Sequence, residues 1–308
     1  MTYDYLTQVS INRRLTEEEA RRRLDIHKSA AAEANDKHTV FRMNDVYLDV
    51  CDASYQQLGW GLLAFIIGFF PFAFLTWKAI STASEAAIFW TLVPFGVAGC
   101  IVCVLLLLRD CFGYRHKTVR FNRKNRMVYA FRHNGPGGVI AVPWDEAFFY
   151  AHRQTSGPMF GGAPTVMRCF VLAKDGKTIK DTFSFGLRTV NGGSESGRWG
   201  KLVLDQVLVN FEFIRRFMEQ GPAGLPPVRE YMPEGPSIKA SFNVYFHDFK
   251  EARETNSFMN TLGAIIAAPM LVMVLLHFIA QITGRKPVWP EEVQRASQSN
   301  ESSSAIVT

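Results

Sequence analysis

LLLLRDCFGYRHKTVRFNRKNRMVY, residues 105–129, runs from four leucines straight into positive charge. Arg109 to Arg132 holds eight Lys or Arg and one acid, Asp110. The apolar half is the end of a long uncharged run, Ile88–Leu108. The basic half is either a site for something anionic or the charge that holds one end of a membrane span in place. Working outward from this junction separates the two halves of the chain.

Two more uncharged runs of similar length exist, Leu58–Trp77 (LGWGLLAFIIGFFPFAFLTW) and Leu262–Thr283 (LGAIIAAPMLVMVLLHFIAQIT). About 20 apolar residues in a helix cross the hydrocarbon core, so all three stretches are expected to span a membrane. The first begins too far into the chain for a cleavable signal peptide. Only Lys78 is basic in the link Lys78–Ala87, whereas the far end of the second run meets the basic cluster. Positive charge stays on the cytoplasmic side, so the N-terminal region 1–57 and the middle of the chain are expected in the cytosol. The first two spans (58–77 and 88–108) then form a hairpin. The third, 262–283, is expected to carry the tail 284–308 outward, although Arg285 and Lys286 oppose that direction.

The N-terminal region holds a helix signal over residues 16–34. Thr16 and Glu19 have the spacing of a capping box, and Glu17, Glu18 and Glu19 each precede an arginine by four residues. With few apolar residues, it is expected to be a solvated helix. Thr39–Val50 has strand composition with a turn at Asn44–Asp45.

Short strands follow the second span: Thr118–Asn122, Met127–Arg132, Gly137–Val142, Glu146–Arg153, Val166–Lys174 and Thr178–Phe185. The Asp175-Gly176 turn is the clearest hairpin signal among them. Arg198 to about Glu219 is an amphipathic helix with Trp199, Val203, Val207, Phe211, Ile214 and Phe217 near one face. The fold class expected is therefore an α+β membrane protein, with a domain over 113–220 made of an antiparallel β-meander closed by one helix. That order of elements resembles the pleckstrin-homology-like fold. Gly221–Pro236 is Pro-rich linker, residues 238–246 alternate like a strand, and the Ser/Gln/Asn-rich tail is expected to be disordered.

Catalytic patterns are weak. Gly192–Lys201 (GGSESGRWGK) lacks the Lys and Ser/Thr that a phosphate loop needs after its last glycine. Cys100 and Cys103 form a C-x-x-C inside an apolar span, where small residues that pack helices are the better explanation. The seven histidines are scattered, and His277 in the third run is expected to bond a neighbouring helix. Asp145 and Glu146 point to opposite faces of a strand. No cofactor, metal or enzyme activity is expected, and no nucleic-acid partner. The basic residues Arg115, Lys117, Arg120, Arg123, Lys124 and Arg126 are the candidate contact with anionic lipid headgroups.

The pattern VRFNRKNRMVYAFR (residues 119–132) followed by VPWDE (142–146), with two spans before and one late, is similar to an uncharacterised family of Gram-negative bacterial membrane proteins. Genes of that family often lie beside type VI secretion tip proteins and toxic effectors. The resemblance implies a multi-pass inner-membrane protein whose cytosolic domain binds a protein partner, an effector toxin or a secretion component, as an immunity or accessory protein. The alternative is a membrane-surface module that contacts anionic lipid.

Overall fold

The computed structural model describes residues 9–82, 86–153, 165–189, 195–255 and 257–298. The chain folds as two units, one assembled from Met1–Tyr55, His116–Met232 and Pro287–Thr308, the other from Gln56–Arg115 and Pro233–Lys286.

The first unit is β-rich. Its five-stranded antiparallel sheet has the order β2-β3-β4-β5-β6, with β2 Val40–Met43, β3 Tyr47–Cys51, β4 Thr118–Asn122, β5 Met127–Phe131 and β6 Val139–Pro143. The second sheet has the order β1-β9-β8-β7, with β1 Arg13–Arg14, β7 Phe148–Arg153, β8 Thr165–Leu172 and β9 Thr178–Arg188. The single curved sheet of about six strands expected over 113–220 is thus two sheets, and the N-terminal region supplies three strands to them. Asp175 makes the β8–β9 turn as its sequence implies, with Oδ1 accepting the amides of Lys177 and Thr178 and Gly176 at φ +65°.

Helix α4, Arg198–Gln220, packs on β7, β8, β9 and β4. Its spacing places Val207, Phe211, Ile214 and Phe217 on one face, and all four are buried with Phe121, Trp144, Phe149 and Phe185. Burying each such side chain contributes about 1.5–3 kcal/mol. The side chain of Trp199 lies outside the described residues.

Two N-terminal expectations change. The capping box forms, with Glu19 N–H donating to Thr16 Oγ1 and Thr16 N–H to Glu19, but helix α1 is only Glu17–Arg21. The segment after it is irregular rather than helical because its polar groups have distant partners. Leu24 N–H donates to Phe149 O, Ala30 N–H to the Glu212 carboxylate, and Arg215 and Arg216 donate to the carbonyls of Ile26 and Ala32. Ile26 is buried in the core. The segment lies along α4, with no solvated helix beyond Arg21.

The tail is also ordered as far as residue 298. Trp289 stands edge-on to Phe131, α7 is Glu291–Ala296, and Val293 is buried. Asn122 Nδ2 donates to Ala296 O at 2.9 Å. Residues 299–308 lie outside the described residues. The tail therefore belongs to the β-rich unit and cannot lie across a membrane from it, contrary to the outward direction expected for the third span.

The helical unit contains α2, Trp60–Thr82, and α3, Ala86–Phe112, both long and apolar enough to cross a membrane. Small residues bring them close: a Cβ on Gly68 would lie 2.9 Å from Cys103 Sγ, and one on Gly99 would meet the Phe72 ring. This is the packing role expected for Cys103. β3 and β4, the strands before and after the hairpin α2–α3 in the chain, pair directly, with Cys51 opposite Thr118.

Residues 238–246 form no strand. They begin helix α5, Ile238–Thr255, which packs on α6, Ser257–Thr283. The alternation contained an i, i+4 ladder, Ile238, Phe242 and Phe246, and the last two rings stack at 4.3 Å. Ser237 Oγ accepts the Ala240 amide at 3.2 Å, a helix cap. The stretch Ala267–Thr283 is apolar. Its end is tied to the end of α3 by Arg285 N–H donating to Gly113 O at 2.7 Å. Residues 232 and 289 both belong to the β-rich unit, so the third apolar run lies between two segments of that unit.

Candidate functional site

The basic segment is not one surface. Arg109 and Arg115 belong to the helical unit and the remainder to the β-rich unit. Arg120, on β4, is buried. Its Nε and Nη2 donate to the two Asp49 carboxylate oxygens at 2.7 and 2.6 Å, and Nη1 donates to Ser297 Oγ at 3.0 Å. The guanidinium lies 4.0 Å from the Tyr47 ring centroid and 4.9 Å from that of Trp289. This corrects its place among the expected lipid contacts: it holds the tail and β3 to the sheet. Arg132 is paired with Asp181.

Arg126 ends the β4–β5 turn at φ +52°. It donates through Nε and Nη2 to Asp145, and through Nη2 to Glu219 at 3.0 Å. The hydrogen bond to Asp145 is the main cause that holds its pKa above the ordinary value. Glu219 also accepts Trp144 Nε1–H at 2.7 Å, which fixes the end of α4 against the β6–β7 turn.

Of the six sequence candidates, three come together. Arg123, Lys124 and Arg126 line a shallow cleft of about 430 Å³ with Asp45, Val46, Met218 and Glu219. Arg123 N–H donates to Val46 O, and the guanidinium lies against Gly221, where a Cβ would sit 3.0 Å from Cζ. With Asp145 on Arg126 counted beside Asp45 and Glu219, three bases meet three acids here, so the cleft carries no field for a polyanion. Lys117, just before β4, and Arg115, in the helical unit, are not among the residues lining this cleft.

The cleft holds no Ser, Cys or His nucleophile. Cys51 and Cys169 are buried, and burial pushes both thiols up. Asp145 is committed to Arg126. Among the described residues, no group of three or more His, Cys, Asp or Glu could hold a metal ion. Most of the Gly/Ser loop before α4, residues 190–194, lies outside the described residues.

Sequence reasoning missed two polar centres. In the β-rich unit, Glu212 is fully buried and bonded to Arg215, Arg216 and the Ala30 amide. Burial alone would raise its pKa, but the hydrogen bonds from Arg215 and Arg216 outweigh it and hold the carboxyl at about 2. Its i+3 and i+4 arginines were the legible signal. In the helical unit, His277 Nδ1 lies 2.8 Å from Ser241 Oγ and 2.8 Å from Gln281 Nε2, all buried between α5 and α6. His277 does bond a neighbouring helix, but the strand expected over 238–246 hid its partner.

Together these observations define an α+β protein in which an antiparallel two-sheet unit carries an inserted helical hairpin with an apolar exterior. The chain belongs to a family of unknown function (DUF6708), whose pattern matches residues 97–301. No curated protein and no solved structure matches it.

Proposed function

We propose that this protein is a non-catalytic, multi-pass protein of the bacterial inner membrane, anchored by the α2–α3 hairpin, whose β-rich unit binds a protein partner in the cytosol. The exterior of the hairpin carries the reading. Phe70 is 65% exposed, Trp77 61%, Trp90 72% and Phe95 59%, on helices long and apolar enough to cross a membrane. Such side chains in water would form an aggregation-prone patch, whereas in a bilayer they need no partner. Basic residues gather where α3 ends, which supports a cytoplasmic position for that end.

The β-rich unit, two antiparallel sheets followed by a long C-terminal helix, is analogous to pleckstrin-homology-like domains, which act by binding. By the sequence resemblance, the partner is an effector toxin or a component of a type VI secretion locus, and the protein an immunity or accessory protein. In alkaline carbonate the chain should stay with the membrane pellet. Tagged full-length protein in detergent should retain the product of a neighbouring toxin gene, and deletion should sensitise cells to it. Unchanged survival against toxin-bearing siblings, without co-purification, would refute the partner. The second reading, contact of the β-rich unit with anionic headgroups, draws on the open cleft of Arg123, Lys124 and Arg126.

A further inference from the structure

The helix pair α5–α6 has its polarity turned inside out. In residues 267–282 the polar side chains are His277 and Gln281, and both are buried against α5. Gln281 Oε1 accepts the Ser237 amide at 3.0 Å and its Nε2 donates to Ser241 Oγ at 2.9 Å. Ser241 Oγ in turn lies 2.8 Å from His277 Nδ1. The outer face carries Val272, Leu275, Ile279 and Ile282, exposed at 47, 53, 42 and 53%. With exposed Ala268 they follow the helical period, a stripe about 21 Å long. In water a helix pair buries such a stripe and exposes its polar groups.

A second copy of this chain fits the stripe poorly. Helices that meet in a membrane approach through small residues, and those of α6 face inward. Ala280 is buried, and a Cβ on Gly59, before α2, would fall 2.7 Å from His277 N. Asp110, at the end of α3, holds this joint by accepting the amides of Gly59 and Gly61 at 3.1 and 2.6 Å. What remains outside is branched aliphatic surface, which suits fluid acyl chains.

The partner helix fixes how such a surface can meet a bilayer. Ser237 at the start of α5 bonds Gln281 near the end of α6, and residue 256 alone separates the end of α5 from the start of α6. The two helices therefore run antiparallel, with their ends together. Between Lys239 and Asp248, α5 holds only the uncharged residues 240–247, a rise of about 12 Å against roughly 30 Å of hydrocarbon. Asp248, Lys250, Glu251, Arg253 and Glu254 follow in its sequence. A helix of that composition stays on one side of a membrane, and it keeps both ends of α6 there.

We infer that α6 lies in the plane of the bilayer interface, with its outer stripe against acyl chains and the charged second half of α5 in water. The third apolar run is then a membrane-surface element beside the α2–α3 hairpin and not a third crossing. This rests on the reading that α2 and α3 cross a membrane.

The test uses the full-length protein in two measurements. In phosphatidylcholine vesicles, a carbene reagent dissolved in the acyl region should label α2, α3 and the outer residues Val272, Leu275 and Ile279, as read by mass spectrometry. Hydroxyl radicals generated in the water should leave those three residues unoxidised. In spheroplasts, Asn256→Cys should react with an impermeant maleimide only after permeabilisation, with the unsubstituted protein as blank. Labelling of residue 256 from outside would show that the pair crosses, and would overturn the proposal. Oxidation of Leu275 and Ile279 would overturn it by placing the stripe in water. Protection from both reagents would overturn it by assigning the stripe to a protein surface, a second copy if cross-linking yields a dimer. Release of the protein by carbonate, with α2 and α3 unlabelled, would remove the membrane reading and this surface together. Carbene labelling of α2 and α3 without α6 would remove only the surface.

Discussion

Arg120 and Asp49 meet through two parallel hydrogen bonds of 2.7 and 2.6 Å in the interior of the β-rich unit. The pair joins β4 to β3, and the third donor, Nη1, reaches Ser297 from the tail. An arginine that the sequence presents as part of a basic surface is thus a buried cross-link of three distant segments.

Removing one member of such a pair leaves the other charge buried, a loss of about 3–5 kcal/mol. Arg120→Met should therefore lower the thermal midpoint of the β-rich unit strongly. Arg120→Met combined with Asp49→Leu should recover most of the loss, since an apolar pair of similar volume is often neutral. Circular dichroism melts of the full-length protein in detergent check both; a double variant no more stable than the single would contradict this account.

Asp110 performs a similar service in the helical unit by accepting the first amides of α2 from the end of α3. Asp110→Ala would leave the Gly59 and Gly61 N–H groups without that acceptor, a cost of about 1–3 kcal/mol for each buried donor. Asp110→Asn keeps a carbonyl acceptor and should lose less. Detergent thermostability measured by aggregation after heating ranks the three proteins, and the order wild type, Asn, Ala is expected.

Glu212 makes stability depend on acid. Its folded pKa of about 2 lies below the ordinary 4.5, so its ionised form is favoured by folding. That contribution is complete above 4.5 and disappears as pH falls towards 2. The difference in melting temperature between wild type and Glu212→Gln should accordingly be large at neutral pH and shrink between pH 4.5 and 2. A difference independent of pH across that window would show that Glu212 acts through its shape alone.

The helical hairpin and the tail make opposite predictions for surface labelling. With a cysteine in place of Ser84, between α2 and α3, an impermeant maleimide should react in intact spheroplasts. With a cysteine in place of Gln298, it should react only after permeabilisation. Labelling of residue 298 from outside would contradict a cytosolic β-rich unit, because the tail packs on that unit.

How much of this was written in the sequence depends on the range of the interactions. The apolar runs that became α2 and α3, the strands β4 to β9 and the amphipathic helix α4 are set by periodicity within one element, so local reading located them to within a few residues. The β8–β9 turn follows from Asp175 and Gly176 alone. The cleft was half legible: the turn residues Arg123, Lys124 and Arg126 were visible, but Glu219 and Asp45 reach it from other elements.

The sequence by itself determined which segments are apolar enough to cross a bilayer, which alternate as strands, and where positive charge collects. Tertiary structure decided where the segment after α1 goes, the helical state of residues 238–246, the docking of the tail, and which arginines are spent. Those outcomes turn on partners far apart in the chain, Arg120 with Asp49 at a separation of 71 residues and with Ser297 at 177. A backbone or side-chain group with such a partner gives up the local hydrogen bond its neighbours would offer, and no local pattern records that exchange.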